Sequence, residues 1–274
     1  MDLELRGRTA VVTGCSVGIG REIARVLAGE GVATLVVARR GELLKTLQDE
    51  IGSAGGPRPH ALAVDLADRA SAARVRDEAL ATLGHVDILV NNAGGSRPTA
   101  FDAPDSVWDE SLAINFVAVR RLTLALLPGM IERRYGRIVN VASLAGLAPA
   151  TAGHTLYSAT KAFLIKFSQA LAAEGARHGV HVTAVCPGFT FTEFHDVNGM
   201  RAQVSRVPRW MWMDAASVAR QGYDAVMAGT PMYINGRVNR AIALLVRVLP
   251  QRLVNYLTRR TGGRYRNVSD HIDA

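Results

Sequence analysis

The chain has 274 residues, of which 49% are hydrophobic and 20% charged. This length and composition indicate one large compact domain and exclude an intrinsically disordered chain. No apolar run approaches the roughly 18 residues that a membrane-spanning helix needs, and the start of the chain lacks the basic and apolar regions of a signal peptide. We therefore expect a cytoplasmic protein whose two cysteines, Cys15 and Cys186, are reduced thiols.

The net charge of +8 is confined to one segment near the C-terminus. Between residues 237 and 266 there are eight arginines and no acidic residue, so the rest of the chain is neutral. The basic character therefore needs a local explanation rather than one that involves the whole domain.

Short β-branched runs alternate with amphipathic helical stretches over the first two-thirds of the chain. Strands are predicted at 9–12, 34–37, 61–64, 88–90, 138–141 and 182–185, and helices at 19–29, 42–51, 69–83, 106–130 and 157–178. The strand runs are too hydrophobic to alternate, which indicates strands that are covered on both faces. Their order with the helices predicts an α/β fold, a single doubly wound parallel sheet of the Rossmann type.

Residues 189–214 interrupt this alternation of strands and helices. The segment contains Thr, Phe, Asn, Gly, Pro and the cluster Trp210-Met211-Trp212-Met213. A long insertion after a late strand lies at the carboxyl edge of such a sheet, where ligands bind, so we interpret it as a substrate lid. The alternative is a surface excursion whose aromatic side chains fill the core.

A glycine-rich turn, residues 13–20, follows the first strand and opens the first helix. Glycines here permit a tight turn and a close approach of the backbone to a pyrophosphate, and the helix N-terminus offers amide donors to an anion. The turn, Thr13-Gly14-Cys15-Ser16-Val17-Gly18-Ile19-Gly20, resembles the TGxxxGIG loop of the classical short-chain dehydrogenase/reductase family.

Further elements of that family pattern occur in the same order along the chain. They are Asn91-Asn92-Ala93-Gly94, a helix asparagine at Asn115, Ser143, the YxxxK motif from Tyr157 to Lys161, and Pro187-Gly188 followed by Thr192. The resemblance covers roughly residues 8 to 192. One departure is the separation of Ser143 and Tyr157, which is slightly long for the family and leaves the shape of the substrate loop open.

Tyr157 and Lys161 are four residues apart on a predicted helix and therefore share one face. A free tyrosine has a pKa of about 10, and a nearby ammonium favours its phenolate. The resemblance implies that Tyr157 donates a proton to a carbonyl oxygen as hydride reaches the carbon, while Ser143 hydrogen-bonds that oxygen. It also implies that Lys161 binds the nicotinamide ribose and that Asn115 holds a water in a proton relay; Asn115 alternatively only bridges backbone groups.

The end of the second predicted strand favours NADP(H) over NAD. An acid there binds the ribose 2'-hydroxyl of NAD, whereas an arginine accommodates the 2'-phosphate. The chain has Arg39 and Arg40 and no acid before Glu42. We expect Arg39 to bind the phosphate, with Ser16 as a second group. Arg40 is a further candidate for the cofactor site, or else a solvated surface residue. Asp65 resembles the acid that binds adenine in the family, or else it starts the next helix.

The resemblance extends the cofactor site to further positions in the same motifs. The residues implied are Gly14, Ser16, Gly18, Ile19, Gly20, Asp65, Leu66, Asn92, Ala93, Gly94, Tyr157, Lys161, Pro187, Gly188, Thr190 and Thr192. For the substrate we expect Ser143, Tyr157, Phe189, Phe194 and Trp210, because aromatic side chains suit a bulky hydrophobic molecule. We expect no metal.

Beyond a closing strand near 233–236, two basic amphipathic helices are predicted, at 237–249 and 251–260, separated by Pro250. This extension, residues 237–274, follows a catalytic domain of residues 1–236. Its basic part, 237–266, is open to three interpretations: contact with an anionic membrane surface, docking of an acidic carrier protein or coenzyme A thioester, or a subunit contact with a solvated arginine face. The segment lacks a nucleic-acid-binding motif, so we expect no nucleic acid.

These observations favour an NADPH-dependent reductase that converts a ketone or 3-oxoacyl group of a hydrophobic substrate to an alcohol. The alternatives are an alcohol or hydroxysteroid dehydrogenase working oxidatively with NAD(P), and a non-catalytic dinucleotide-sensing interaction protein. The family also implies a homodimer or homotetramer assembled through the long helices at 106–130 and 157–178.

Overall fold

The computed structural model describes residues 5–95, 103–150, 155–193, 204–205, 207–256 and 258. Seven parallel strands form the main sheet in the order β3-β2-β1-β4-β5-β6-β9. The strands are β1 Thr9–Thr13, β2 Ala33–Ala38, β3 His60–Ala63, β4 Ile88–Asn91, β5 Gly136–Val141, β6 Val180–Cys186 and β9 Met232–Ile234. A second small sheet pairs β7 Thr190–Phe191 with β8 Met213–Asp214.

Eight α-helices lie in the described ranges. They are α1 Gly18–Gly29, α2 Gly41–Ser53, α3 Ser71–Leu83, α4 Asp105–Leu112, α5 Ala118–Glu132, α6 Thr155–Gly175, α7 Ala215–Met227 and α8 Arg237–Val248. A further helical segment occupies 251–256. Helices α1, α2 and α7 cover one face of the sheet, and α3, α5 and α6 cover the other.

Successive strand residues point into two different cores, as strands buried on both faces require. Val12 of β1 packs with Leu27 of α1 in one core. The preceding residue, Val11, packs with Leu122 of α5 in the other core. This arrangement confirms the predicted doubly wound α/β fold.

The long helix predicted at 106–130 is not continuous. A π-helical turn, Ala113–Val117, joins α4 to α5. The interruption places Asn115 inside the irregular turn, where its side chain is buried. Such π turns are rare and frequently occur at functional sites.

The helical stretch Asp105–Glu132 is, among the described residues, long and apolar enough to cross a membrane by length and composition alone. Core helices of soluble proteins meet the same criteria. This stretch contributes Leu122, Leu126 and Met130 to the core against the sheet, so we interpret it as a core helix.

Candidate active site

The strand order reverses direction between β1 and β4, which opens a crevice at the carboxyl edge of the sheet. The turns after β1, β4, β5 and β6 lie at this edge and carry the residues that the sequence singled out. The fold therefore brings the glycine-rich loop and the Tyr157–Lys161 helix to one side of the molecule.

The N-terminus of α1 fits a bound pyrophosphate. No side chain caps the first turn at Val17, and this turn contains no acidic residue, so its amide groups are available to an anion. Gly14 and Gly18 have positive φ angles of 70° and 65°, which glycine adopts without steric cost. A cavity of about 520 Å³ adjoins the loop at Ser16, Val17 and Gly18.

Asn92 explains why two of the loop glycines are required. Its Nδ2 donates to the carbonyl oxygens of Thr13 and Gly14, at 2.9 and 3.0 Å. A Cβ at Gly14 would lie 2.6 Å from this nitrogen, and a Cβ at Gly20 would also collide with the Asn92 amide. The side chain of Asn92, which was predicted to bind the cofactor, therefore holds the loop in place.

The Thr13 hydroxyl joins the ends of β1 and β4. It donates to the carbonyl oxygen of Val90 and accepts from the amides of Asn92 and Ala93, all at 3.0 Å. The two turns on either side of the crevice are thus fixed to each other.

Lys161 lies at the centre of the predicted catalytic group. Its side chain is buried, and Nζ donates to the carbonyl oxygen of Val141 at the end of β5, at 2.8 Å. The same nitrogen lies 5.7 Å from the centre of the Tyr157 ring. Ser143 follows two residues after Val141, so the strand end brings the serine to the helix that carries the tyrosine and lysine.

A close contact between the turn after β5 and helix α6 fixes this arrangement. The turn Leu144–Gly146 rests on α6 at Lys161, where a Cβ at Gly146 would lie 2.7 Å from the Lys161 carbonyl carbon. The Ser143 Oγ accepts from the amide of Ala145 at 3.1 Å, which orients the serine at the start of this turn.

Asn115 connects the π turn to the loop after β4. Its Nδ2 donates to the carbonyl oxygens of Gly95 and Ser111, each at 3.0 Å, and its Oδ1 accepts from the Gly95 amide at 3.3 Å. A Cβ at Gly94 would lie 2.8 Å from Asn115 Oδ1 and 3.6 Å from Lys161 Nζ. Asn115 and Gly94 therefore lie beside the lysine, with the Asn115 amide bridging backbone groups.

Burial dominates the electrostatics of this cluster. It lowers the pKa of Lys161 from 10.5 to about 8, because the ammonium loses hydration. Burial raises the pKa of each of the two free thiols, Cys15 and Cys186, to about 12. A lysine that titrates near pH 8 can hold or release a proton under physiological conditions, whereas the neutral thiols are poor nucleophiles.

The two arginines after β2 occupy different surroundings. Arg40 Nη2 donates to Ser16 Oγ at 3.1 Å, and its Nη1 lies 3.2 Å from Glu193 Oε2. Arg39 instead lies 3.8 Å from Asp65 Oδ2. The structure thus places Arg40, rather than the expected Arg39, beside Ser16 and the phosphate loop.

The two residues after β3 differ in how far they can reach a ligand. Asp65 is half-exposed, and its Oδ1 accepts from the amide of Ala67 at 3.0 Å. The Leu66 side chain is buried in the core, so only its main chain can contact a cofactor.

The Pro187-Gly188 turn contacts a residue that the sequence did not single out. The Pro187 carbonyl oxygen accepts from the amide of Leu144 at 2.9 Å, which ties the ends of β5 and β6 together. A Cβ at Gly188 would collide with the side chain of Asn239, which is buried at the start of α8. Thr192 lies against the glycine-rich loop, since a Cβ at Gly18 would lie 2.9 Å from its Cγ2.

The aromatic residues of the predicted lid are only partly brought together. The Trp212 ring lies 5.4 Å from that of Phe189 and 4.8 Å from that of Phe191, measured between ring centres. Trp210 is 67% exposed. Phe194 lies outside the described residues, and Thr190 is buried in β7.

Three positioning residues had weak or no sequence signals. Arg21 Nη1 donates to the carbonyl oxygens of Ser16 and Leu43, at 3.3 and 2.9 Å, and so braces the loop; it directly follows the glycine motif. Glu193 follows the Pro-Gly motif, but no sequence pattern indicated a role for it. Asn239 is separated by some fifty residues from the turn it contacts, and no local pattern indicates that contact.

These features define a class of protein, a dinucleotide-dependent oxidoreductase with a lysine–tyrosine pair at the carboxyl edge of its sheet. Comparison with known proteins agrees with that class. A family model described as short chain dehydrogenase matches residues 8–201.

Relatives and solved structures resemble most of the chain. A 3-oxoacyl-[acyl-carrier-protein] reductase, FabG, of Aquifex aeolicus is 33% identical over 85% of this chain and 92% of its own length. A short-chain dehydrogenase from Sphingobium yanoikuyae in complex with NADPH has a TM-score of 0.77 and 27% identity, covering 97% of this chain and 99% of that chain. A bulky-bulky ketone specific alcohol dehydrogenase from Comamonas testosteroni has a TM-score of 0.73 and 26% identity, covering 96% of each chain.

The chain belongs to the short-chain dehydrogenase/reductase family. It is an oxidoreductase that acts on an alcohol or carbonyl group with a nicotinamide dinucleotide.

Proposed function

We propose that the protein reduces a ketone or 3-oxoacyl group of a hydrophobic substrate to an alcohol with NADPH. The observation that carries this proposal is the buried Lys161, whose Nζ lies 5.7 Å from the Tyr157 ring centre, beside the strand end that bears Ser143. Bound NADPH supplies the hydride.

Each of the three side chains has a distinct role in the proposed reaction. Tyr157 donates its phenolic proton to the carbonyl oxygen of the substrate. The Lys161 ammonium stabilises the resulting phenolate, because opposite charges at short range favour each other in a buried site. Ser143 Oγ donates a hydrogen bond to the same substrate oxygen and stabilises its developing negative charge.

Asn115 acts as a positioning residue in this proposal. Its amide holds the Gly94–Gly95 turn beside Lys161 through two hydrogen bonds to Gly95. The turn therefore keeps the surroundings of Lys161 fixed while Tyr157 transfers its proton.

The preference for NADPH rests on Arg40, Ser16 and Arg39. Arg40 and Ser16 already contact each other at 3.1 Å beside the phosphate loop, and a guanidinium next to a hydroxyl suits a 2'-phosphate. No carboxylate occupies the end of β2 at Ala38, where NAD-specific enzymes bind the ribose hydroxyls. The relative from Sphingobium yanoikuyae, which was solved with NADPH, supports the same preference.

The hydrophobic substrate is inferred from the aromatic residues and from the relatives. Phe189 and Phe191 contact Trp212 after β6 and offer an apolar surface near the crevice. The relatives include a 3-oxoacyl-[acyl-carrier-protein] reductase and an enzyme specific for bulky ketones. We propose that residues 1–236 form the catalytic domain, that 189–214 cover the substrate, and that the protein works in the cytoplasm as a homo-oligomer.

The test combines cofactor titration with turnover. Fluorescence titration should show NADPH binding at least about tenfold tighter than NADH, roughly 1.4 kcal/mol. Arg40→Asp should abolish that preference, and Arg39→Asp should reduce it less. Equal affinity of the wild type for the two cofactors would contradict the assignment of the phosphate site.

Turnover is measured with hydrophobic ketones and 3-oxoacyl thioesters as oxidants. Tyr157→Phe should abolish reduction while leaving NADPH binding intact, because the variant lacks only the proton donor. Unchanged turnover in this variant would refute the proposed mechanism.

A further inference from the structure

Helix α8 has apolar residues on two opposite faces. Its inner face carries the buried Asn239 and the partly buried Ile242 and Val246. Its outer face exposes Leu244 and Val248, which are 59% and 63% accessible to solvent, and Leu245 beside them is also exposed. Apolar side chains on a helix surface normally pack against a partner, and the outer face of α8 has no such cover among the described residues.

The segment at 251–256, which follows α8 after Pro250, also exposes apolar side chains. Leu253 and Tyr256 are exposed, whereas Val254 between them is 4% accessible. Because Val254 is buried, the segment is docked on the protein, and the exposure of its neighbours does not result from a detached end. We call the three exposed apolar residues of α8, Leu244, Leu245 and Val248, the outer apolar patch.

Arginines accompany this patch, and acids do not. Arg240 and Arg247 are seven residues apart and therefore share one edge of α8, next to Leu244. Arg237 and Arg252 are also exposed. No carboxylate among the described residues pairs with any of these four arginines, and the sequence contains no acid between 237 and 266.

We propose that the outer apolar patch and its arginines dock the protein on an anionic lipid bilayer. Exposed aliphatic residues beside an arginine edge are typical of helices that lie in the membrane interface, where apolar side chains enter the acyl boundary and arginines meet anionic headgroups. The proposal concerns a surface separate from the catalytic group and is independent of the proposed substrate and cofactor.

Charge argues against the two other occupants. A twofold contact between two copies would place the same arginine-rich face against itself, and like charges repel when water is excluded. An acidic carrier protein would neutralise the arginines, but it would also have to supply an apolar surface of matching shape to cover the leucines and Val248. A bilayer satisfies the charge and the apolar surface together.

The position of α8 gives such docking a functional consequence. The helix begins at the carboxyl edge of the sheet, where Asn239 contacts Gly188. Leu244 lies five residues further along, about 8 Å at the rise of an α-helix. Docking through this helix would hold the substrate side of the molecule close to the bilayer surface.

The experiment is flotation of the purified full-length protein with two kinds of vesicle, phosphatidylcholine alone and phosphatidylcholine mixed with phosphatidylglycerol. We expect binding to the mixed vesicles that weakens as salt is raised. Leu244→Ser/Val248→Ser and, separately, Arg240→Gln/Arg247→Gln should each weaken binding at least about tenfold. Leu80→Ser, which alters an exposed leucine of α3, is the matched control and should bind like the wild type.

Several results would overturn the proposal. One is absence of wild-type binding to the mixed vesicles, and another is equal binding by all variants. A third is concentration-dependent self-association, measured by sedimentation velocity, that is lost in Leu244→Ser/Val248→Ser, because a second copy would then cover the patch. Circular dichroism and cofactor titration establish that each variant is folded, so a failure of docking is distinguishable from a failure of the proposed reduction.

Discussion

Replacing the buried lysine by methionine should stabilise the fold at neutral pH while abolishing activity. Burial lowers the pKa of Lys161 from 10.5 to about 8. Keeping this lysine charged in the folded state therefore lowers the stability of the protein by roughly 3 kcal/mol. Lys161→Met removes that cost but also the hydrogen bond from the charged ammonium to the Val141 carbonyl oxygen, worth about 1.5 to 3 kcal/mol. We therefore expect the variant to be up to about 1.5 kcal/mol more stable at pH 7.

The effect has a defined pH dependence. Between pH 8 and pH 10.5 the unfolded wild type binds more protons at this lysine than the folded protein does, so wild-type stability rises with pH in that window. Lys161→Met lacks this contribution, and its advantage should shrink and then reverse as the pH approaches 10.5. Below pH 8 the lysine is charged in both states, and the advantage should be constant.

The assay is urea unfolding of the cofactor-free protein at pH 7 and near pH 10, followed by circular dichroism. Lys166→Met is the matched control, because Lys166 lies on the same helix and is exposed; its free energy of unfolding should follow the wild type at both pH values. If the free energies of unfolding of Lys161→Met and wild type differ by the same amount at both pH values, this explanation is refuted, since the cost would then not arise from the lysine charge.

Three further predictions concern the cofactor side and the thiols. Glu193→Gln should tighten NADPH binding up to about fivefold without affecting NADH, because an exposed ion pair with Arg40 contributes about 0–1 kcal/mol; equal changes for both cofactors in the titration would argue against competition for the arginine. Gly18→Ala should destabilise the protein by about 1 to 3 kcal/mol and weaken cofactor binding, since it combines a φ of 65° with a Cβ contact of 2.9 Å to Thr192. The control Gly29→Ala, where a Cβ meets nothing within 4 Å, should be neutral in thermal melting. The two buried thiols should stay unreactive toward a thiol reagent at pH 8 until the protein is unfolded.

Local patterns predicted the scaffold and the motif residues. Most of the predicted strands are β-branched, largely apolar runs that are buried on both faces, so the doubly wound sheet followed from the sequence. The edge strand β3 departs from that expectation, since most of its residues are exposed. The spacing of Tyr157 and Lys161 is likewise a local property, because a helix places residues four apart on one face. The π turn at 113–117 had no comparable signal, since its residues continue a helical pattern.

Tertiary contacts decided which neighbour each of these residues has. Arg39 was the residue expected to bind the phosphate, but adjacent residues share the same local pattern, and only the packing of the loop set Arg40 beside Ser16 and Glu193. Asn92 packs against Gly14 and Gly20, and Asn239 packs against Gly188. The residues of each contact are about fifty or more positions apart in the sequence. Sequence periodicity records the environment of one element at a time, whereas a contact of this kind depends on where two elements meet in the folded chain.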